Sequence, residues 1–297
     1  MSAVQPPALA PSEEQKKVTI RLIQAMKTRH EVISMLTAYD YPTALVMDQV
    51  GLDIILVGDS LGMVVLGYDS TLPVTMDEMI HHCKAVARGT KYALLVGDMP
   101  FMSYQISTAE AVRNAGRFLQ EGGMNAIKLE GGRERAETIR AIVDAGIPVM
   151  GHLGLTPQSV HKLGGYRPQG RDAEAAYRLV QDAQILQEAG CFSLVLESIP
   201  GRLAELVSQR LDIPTLGIGA GAGCDGQVLV THDLLGIFER FTPRFVKRYA
   251  NLAGEMKQAF HEFKTEIRAK SFPGAEHTVE MEDEQWRNLE IKLGQAG

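Results

Sequence analysis

The tetrapeptide Leu-Val-Gly-Asp occurs twice, ending in Asp59 and in Asp98, and each copy closes a short apolar run. Lys128 and Glu130 stand two apart in Ala126-Ile127-Lys128-Leu129-Glu130. His152 follows Pro148-Val149-Met150-Gly151, and Glu197 follows Ser193-Leu194-Val195-Leu196. Carboxylates that converge where water is scarce repel one another, so a group made of Asp59, Asp98 and Glu130 calls for a cation if all are to stay ionised. Hard oxygen donors of this kind suit Mg2+ or Mn2+. Taken singly, each Asp is better read as the cap of the loop or helix that follows it; it is the three together that favour a metal. Residues two apart on a strand share a side, so Lys128 and Glu130 project together. Lys128 then serves as half of a structural ion pair, as the partner of an anionic substrate, or as a Schiff-base amine; nearby carboxylates weaken the last option by keeping it protonated. A carboxylate partly desolvated at the end of an apolar run has a raised pKa, which equips Glu197 as a general base. The alternative for Glu197 is an anion at a helix N-terminus. His152 reads either as an active-site imidazole or as a hydrogen-bonded structural residue.

These residues become a site only if the elements bearing them share one end. Apolar or β-branched runs occur at 32–37, 54–57, 93–96, 126–129, 148–150, 193–196, 214–218 and 234–238, eight in all. Helical patterns fill the intervals, among them Thr108–Gln120 with a Ser/Thr cap and Glu110 in its first turn. Arg133–Ala145 is closed by Gly146, and Asp172–Ala189 by Gly190. Alternating strand and helix implies parallel pairing, and eight such units fit a (β/α)8 barrel. An open doubly wound sheet is the competing fold, but no G-x-G-x-x-G opens a helix after the first run. In a barrel the C-terminal strand ends form the active-site rim. The second to sixth runs would therefore deliver Asp59, Asp98, Lys128 with Glu130, His152 and Glu197 to one place. Weaker candidates are the Gly217–Gly223 loop, which follows the seventh run where many barrels bind phosphate but equally suits a tight turn or close backbone approach, and His81-His82-Cys83, read as structural.

The 297 residues, 45% hydrophobic, suffice for a substantial core, and a net charge of −6 without any basic run argues against nucleic acid. Cys83, Cys191 and Cys224 form no disulfide framework and point to a reducing cytoplasm. No apolar run approaches the roughly 20 residues a membrane span needs. Residues 1–17, with Pro6, Pro7 and Pro11, are expected to be a mobile N-terminal arm rather than a signal peptide. Residues 18–278 are expected to form a single catalytic barrel and 279–297 a polar tail. Within these bounds, an extra helix is expected over 12–28 and closing helices over 243–270.

The motifs at the strand ends resemble the ketopantoate hydroxymethyltransferase family. The resemblance rests on Thr37-Ala38-Tyr39-Asp40-Tyr41, Val57-Gly58-Asp59-Ser60-Leu61-Gly62-Met63, Asp69 to Thr75, Lys128-Leu129-Glu130-Gly131-Gly132, Gly151 to Gln158 and Gly217 to Gly221. Gly164-Gly165-Tyr166, Gln169-Gly170-Arg171, Pro273-Gly274 and Glu276-His277 complete it, in the family's order over about 19–278. It implies a (β/α)8 barrel of the phosphoenolpyruvate/pyruvate superfamily type. It also implies hydroxymethyl transfer from 5,10-methylenetetrahydrofolate to 3-methyl-2-oxobutanoate through a metal-stabilised enolate, giving 2-dehydropantoate for pantothenate biosynthesis. The partners implied are a 2-oxo acid, a folate, Mg2+ and further copies of the chain in a homo-oligomer, commonly a decamer. Carried over by motif, Asp59 and Asp98 would be metal ligands with Glu130 in the metal shell. Ser60, Asp59, Asp98 and Lys128 would meet the oxo acid, Glu197 would be the general base, and His152 would be an active-site histidine. A metal-dependent aldolase or lyase acting on another 2-oxo acid, or a non-catalytic metabolite-binding barrel, is the competing reading. No residue is assignable to the folate.

Overall fold

Along each apolar run, alternate residues serve two different cores. In the computed structural model, which describes residues 16–294, eight parallel strands form a closed barrel in sequence order. They are β1 (Ile33–Thr37), β2 (Ile54–Val57), β3 (Leu94–Asp98), β4 (Ala126–Glu130), β5 (Val149–Gly154), β6 (Ser193–Glu197), β7 (Thr215–Ile218) and β8 (Gly226–Leu229). β8 pairs with β1 to complete the ring. Ile33, Met35, Ile54, Leu56, Leu94, Val96, Met150, Val195, Leu216 and Val228 pack together as the inner core. Ile55, Val57, Leu95, Ile127, Leu129, Leu194 and Leu196 belong to the outer core between strands and helices. With a side-chain period of two, the inward sets continue upward. Leu94 and Val96 lead to Asp98, Ala126 leads to Lys128 and Glu130, Met150 to His152, and Val195 to Glu197. The inner columns of β3 to β6 are thus apolar below and ionisable at their C-terminal ends.

The other end of the barrel is filled from within the chain. Helix Ile20–Thr28 has Thr19 as its N-cap, and buries Ile23 and Met26 against the inner core that includes the first residues of β1, β2, β3 and β4. The helix expected over 12–28 is therefore present from Ile20; residues 12–15, like most of the expected arm over 1–17, lie outside the described residues. The helices Thr108–Gln120, Ala136–Asp144 and Ala173–Glu188 occupy the expected intervals. A Cβ at Gly97 would run into the Phe118 ring, so glycine there lets helix Thr108–Gln120 lie close on β3.

The eighth strand is not where the sequence pattern placed it. Residues 234–238 are not a strand: Thr231–Leu234 is a one-turn helix, and Gly236 at φ +65° turns the chain away. The strand is Gly226–Leu229, whose polar Gln227 breaks the apolar run and whose Gly226 admits the neighbouring β1 backbone at Ile33. Its short, mixed composition carries little β signal, and its place is set by pairing with β1 and β7.

The chain divides into two compact units between Tyr249 and Ala250. The second holds helices Leu252–Ala269 and Asp283–Lys292. Of the closing helices expected over 243–270, only the part from Leu252 is helical. Among the described residues no helix is long and apolar enough to cross a membrane. The three cysteines are free.

Candidate active site

The register of neighbouring strands decides which ionisable groups meet. Asp98 is level with Lys128 across β3 and β4, and Glu130 with His152 across β4 and β5. Lys128 Nζ accordingly donates to Asp98 Oδ1 at 2.7 Å, and both side chains are almost wholly buried. His152 sits between three groups: Nδ1 is 3.4 Å from Lys128 Nζ and 3.5 Å from Glu130 Oε1, and Nε2 is 3.2 Å from Glu197 Oε2. Asp59, just past β2, donates its backbone N–H to Asp98 Oδ2 at 3.2 Å. Asp59, Asp98, Lys128, Glu130 and His152 are 2–4% exposed. All five line one cavity of about 560 Å3 with Ser60 and Glu197. That volume accommodates a small oxo acid with room beyond it.

The electrostatics follow from three buried carboxylates around one ammonium. Burial comes first in raising the Asp59 carboxyl well above the usual range, and the charges of Asp98 and Glu130 raise it further. Asp98 is also raised by burial, although Lys128 opposes the shift. Burial works against the Lys128 charge, but Asp98, Glu130 and Asp59 more than offset it and hold the amine protonated. A Schiff-base role is thereby disfavoured, since a nucleophilic amine must be neutral. Burial and the Lys128 charge also disfavour an imidazolium at His152, yet the Glu130 and Glu197 carboxylates push its pKa up to about 9.

A side chain given no role from the sequence organises this set. Gln158 Nε2 donates to Asp59 Oδ2 and to Met99 O, both at 2.9 Å, and the Gln158 backbone N–H donates to Glu130 Oε2 at 3.0 Å. Its Oε1 accepts from the Tyr104 hydroxyl at 2.6 Å, and that hydroxyl accepts from the Glu130 N–H at 3.2 Å. Ser60 Oγ is bonded to the buried Tyr39 hydroxyl at 2.8 Å. Gln158 and Tyr39 were visible only as members of quoted motifs, and Tyr104 gave no signal at all.

One oxygen of Asp59 thus meets Gln158, those of Asp98 meet Lys128 and the Asp59 N–H, and those of Glu130 meet the Gln158 N–H and His152. Among the described residues no group of three or more His, Cys, Asp or Glu side chains is spaced to hold a metal. The donor chemistry nevertheless fits a hard cation, because three buried carboxylates, Asp59, Asp98 and Glu130, line one cavity and offer oxygen donors.

A family model described as ketopantoate hydroxymethyltransferase matches residues 17–275. The 3-methyl-2-oxobutanoate hydroxymethyltransferase of Syntrophus aciditrophicus (strain SB) is 58% identical over 263 residues, covering 89% of this chain and 97% of that protein. The protein of the same name from Nitratidesulfovibrio vulgaris (strain DP4) is 54% identical over 300 residues, covering 100% of this chain and 97% of its own length. Among solved structures, phosphoenolpyruvate phosphomutase from Streptomyces platensis subsp. rosaceus superposes with a TM-score of 0.58 at 14% identity, covering 93% and 96% of the two chains. At that identity the likeness is one of fold. With more than half its length matched by one family and full-length relatives above 50% identity, the chain belongs to the ketopantoate hydroxymethyltransferase family.

Proposed function

We propose that this chain transfers a hydroxymethyl group from 5,10-methylenetetrahydrofolate to 3-methyl-2-oxobutanoate, giving 2-dehydropantoate. The observation that carries the reading, in a chain of this family, is the paired arrangement at the barrel mouth. Buried Lys128 and His152 lie among the carboxylates of Asp98, Glu130 and Glu197, and all five line the same cavity.

Lys128 and Ser60 receive the oxo acid, the ammonium matching its negative charge. Glu197 takes the C3 proton; its side chain keeps 16% exposure, against 3% for Glu130, so it can reach a substrate in the cavity. His152 holds Glu197 from the side and, with Lys128, sets positive charge where negative charge develops on the 2-oxo oxygen. Asp59 and Asp98, with Glu130 behind them, would hold a divalent cation such as Mg2+, which when bound supplies Lewis acidity toward the 2-oxo group. Gln158 keeps Asp59 in place through its amide N–H and Glu130 through its backbone N–H. The C3 carbanion forms the new bond to the one-carbon unit, water supplies the hydroxyl oxygen, and tetrahydrofolate leaves. Family membership supports a homo-oligomer, a decamer on the motif resemblance, working in the cytoplasm.

NMR of 3-methyl-2-oxobutanoate in D2O with the protein, with and without Mg2+, tests this. The expected result is Mg2+-dependent loss of the C3 proton signal, then 2-dehydropantoate on adding methylenetetrahydrofolate. Exchange without product would replace the folate by another electrophile. Absence of exchange under both conditions would overturn the oxo acid assignment.

A further inference from the structure

The outer half of the cavity takes no part in the steps above. Its floor is the buried polar set at the strand ends, whereas its rim is aromatic. Phe238, Phe241 and Phe245 come from the segment after β8, Tyr166 comes from the loop after β5, and all four line the same cavity. Tyr166, Phe241 and Phe245 keep 48%, 64% and 38% of their surface exposed. Phe245 lies so close to the end of β7 that a Cβ on Gly219 would meet its ring at 2.6 Å. Large rings gathered in the open around a cavity mouth mark a surface meant to be covered.

One carboxylate stands among them. Asp233 lines the same cavity, is 7% exposed, and among the described residues its side chain makes no hydrogen bond or ion pair. Burial pushes its pKa up to about 6, although the Arg248 charge opposes the shift. Its own helix, Thr231–Leu234, is a single turn and offers little dipole to hold it. A carboxylate removed from water without donors of its own is costly, so this one is matched to donors that arrive with a ligand.

We propose that Asp233 and the aromatic rim, Phe245 foremost, form the seat of the folate. The Asp233 carboxylate accepts from the amidine edge of the pteridine, its N3–H and 2-amino group. The assignment rests on the folate-dependent reading above. Two parallel N–H donors on a planar ring match the two oxygens of one carboxylate. A flat π-system is held by phenylalanine and tyrosine faces. The reacting carbon, carried on N5 and N10, lies on the side of the folate remote from that edge. A pteridine anchored by Asp233 therefore turns this carbon back toward the oxo acid on the floor, beside Glu197 and Lys128.

The test is calorimetric titration of the full chain, with 3-methyl-2-oxobutanoate present, using tetrahydrofolate and its 2-desamino analogue. Removing the 2-amino group should weaken binding to the wild-type protein about tenfold or more. In Asp233→Asn, tetrahydrofolate should bind about tenfold more weakly, and the analogue should bind no worse than tetrahydrofolate. Phe245→Leu should weaken both ligands alike. A wild-type protein that yields 2-dehydropantoate but does not discriminate between the ligands overturns the proposal and leaves the folate reading standing; this arm needs no variant to fold. Asp233→Asn that discriminates as the wild type does overturns it too. A wild-type protein that makes no 2-dehydropantoate from methylenetetrahydrofolate overturns both.

Discussion

Replacing Glu197 by glutamine keeps the size of the side chain and removes the oxygen proposed to take the C3 proton. Glu197→Gln should lower C3 exchange in D2O by about 10^2–10^4-fold, measured by NMR on saturating oxo acid. Exchange at the wild-type rate would take Glu197 out of the base role. Asp233 gives a prediction of opposite character. Its folded pKa of about 6 lies above the ordinary 3.8, so its folded form favours the proton. Below about pH 4 it is protonated folded or unfolded and costs nothing. As pH rises to 6 the unfolded chain gains from ionising it, and above 6 the full penalty remains. Asp233→Asn should therefore stabilise the protein near pH 7.5 by on the order of 1 kcal/mol, once solvent screening at the cavity is allowed for, and have no effect at pH 4. Thermal melts at the two pH values check the sign. The ionisable candidates were legible because five consecutive apolar runs lead into charged or titratable residues, a recurrence that surface decoration does not explain. Gln158 was not legible, since a neutral amide discloses nothing until both of its ends are seen to be bonded.

Among the elements, the runs that became β1 to β7 were readable because both faces of each are covered, which leaves unbroken apolar sequence. β8 was not, because Gly226 and Gln227 are chosen for a close neighbour and an exposed position rather than for a buried strand. A second hidden device ties helix Tyr41–Val50 to the start of β3. Asp48, 4% exposed, accepts from the backbone N–H groups of Lys91, Tyr92 and Ala93 at 2.8, 2.9 and 2.9 Å. No pattern in the sequence announces it, since its partners lie more than forty residues away. Asp48→Ala leaves these donors without their acceptor and should cost about 2–4 kcal/mol, read as a lower denaturant midpoint. A midpoint within experimental scatter of wild type would show that water replaces the carboxylate.

At the scale of the whole barrel, inner columns that change from apolar to ionisable give one end to stability and the other to chemistry. The helix Ile20–Thr28 seals the stable end with Ile23 and Met26. Among the described residues the cavity is therefore closed at its foot, and a closed foot imposes an order of arrival. On the proposed placement, the oxo acid goes to the floor and has to enter before the folate covers it. Tetrahydrofolate has to depart before 2-dehydropantoate can leave. A non-reactive folate analogue should then inhibit competitively against methylenetetrahydrofolate and uncompetitively against 3-methyl-2-oxobutanoate. Competitive inhibition against both would mean that the two substrates contend for one place. A plug at the foot of the barrel, far from any reacting atom, would in this way set the kinetic sequence of the reaction at its mouth.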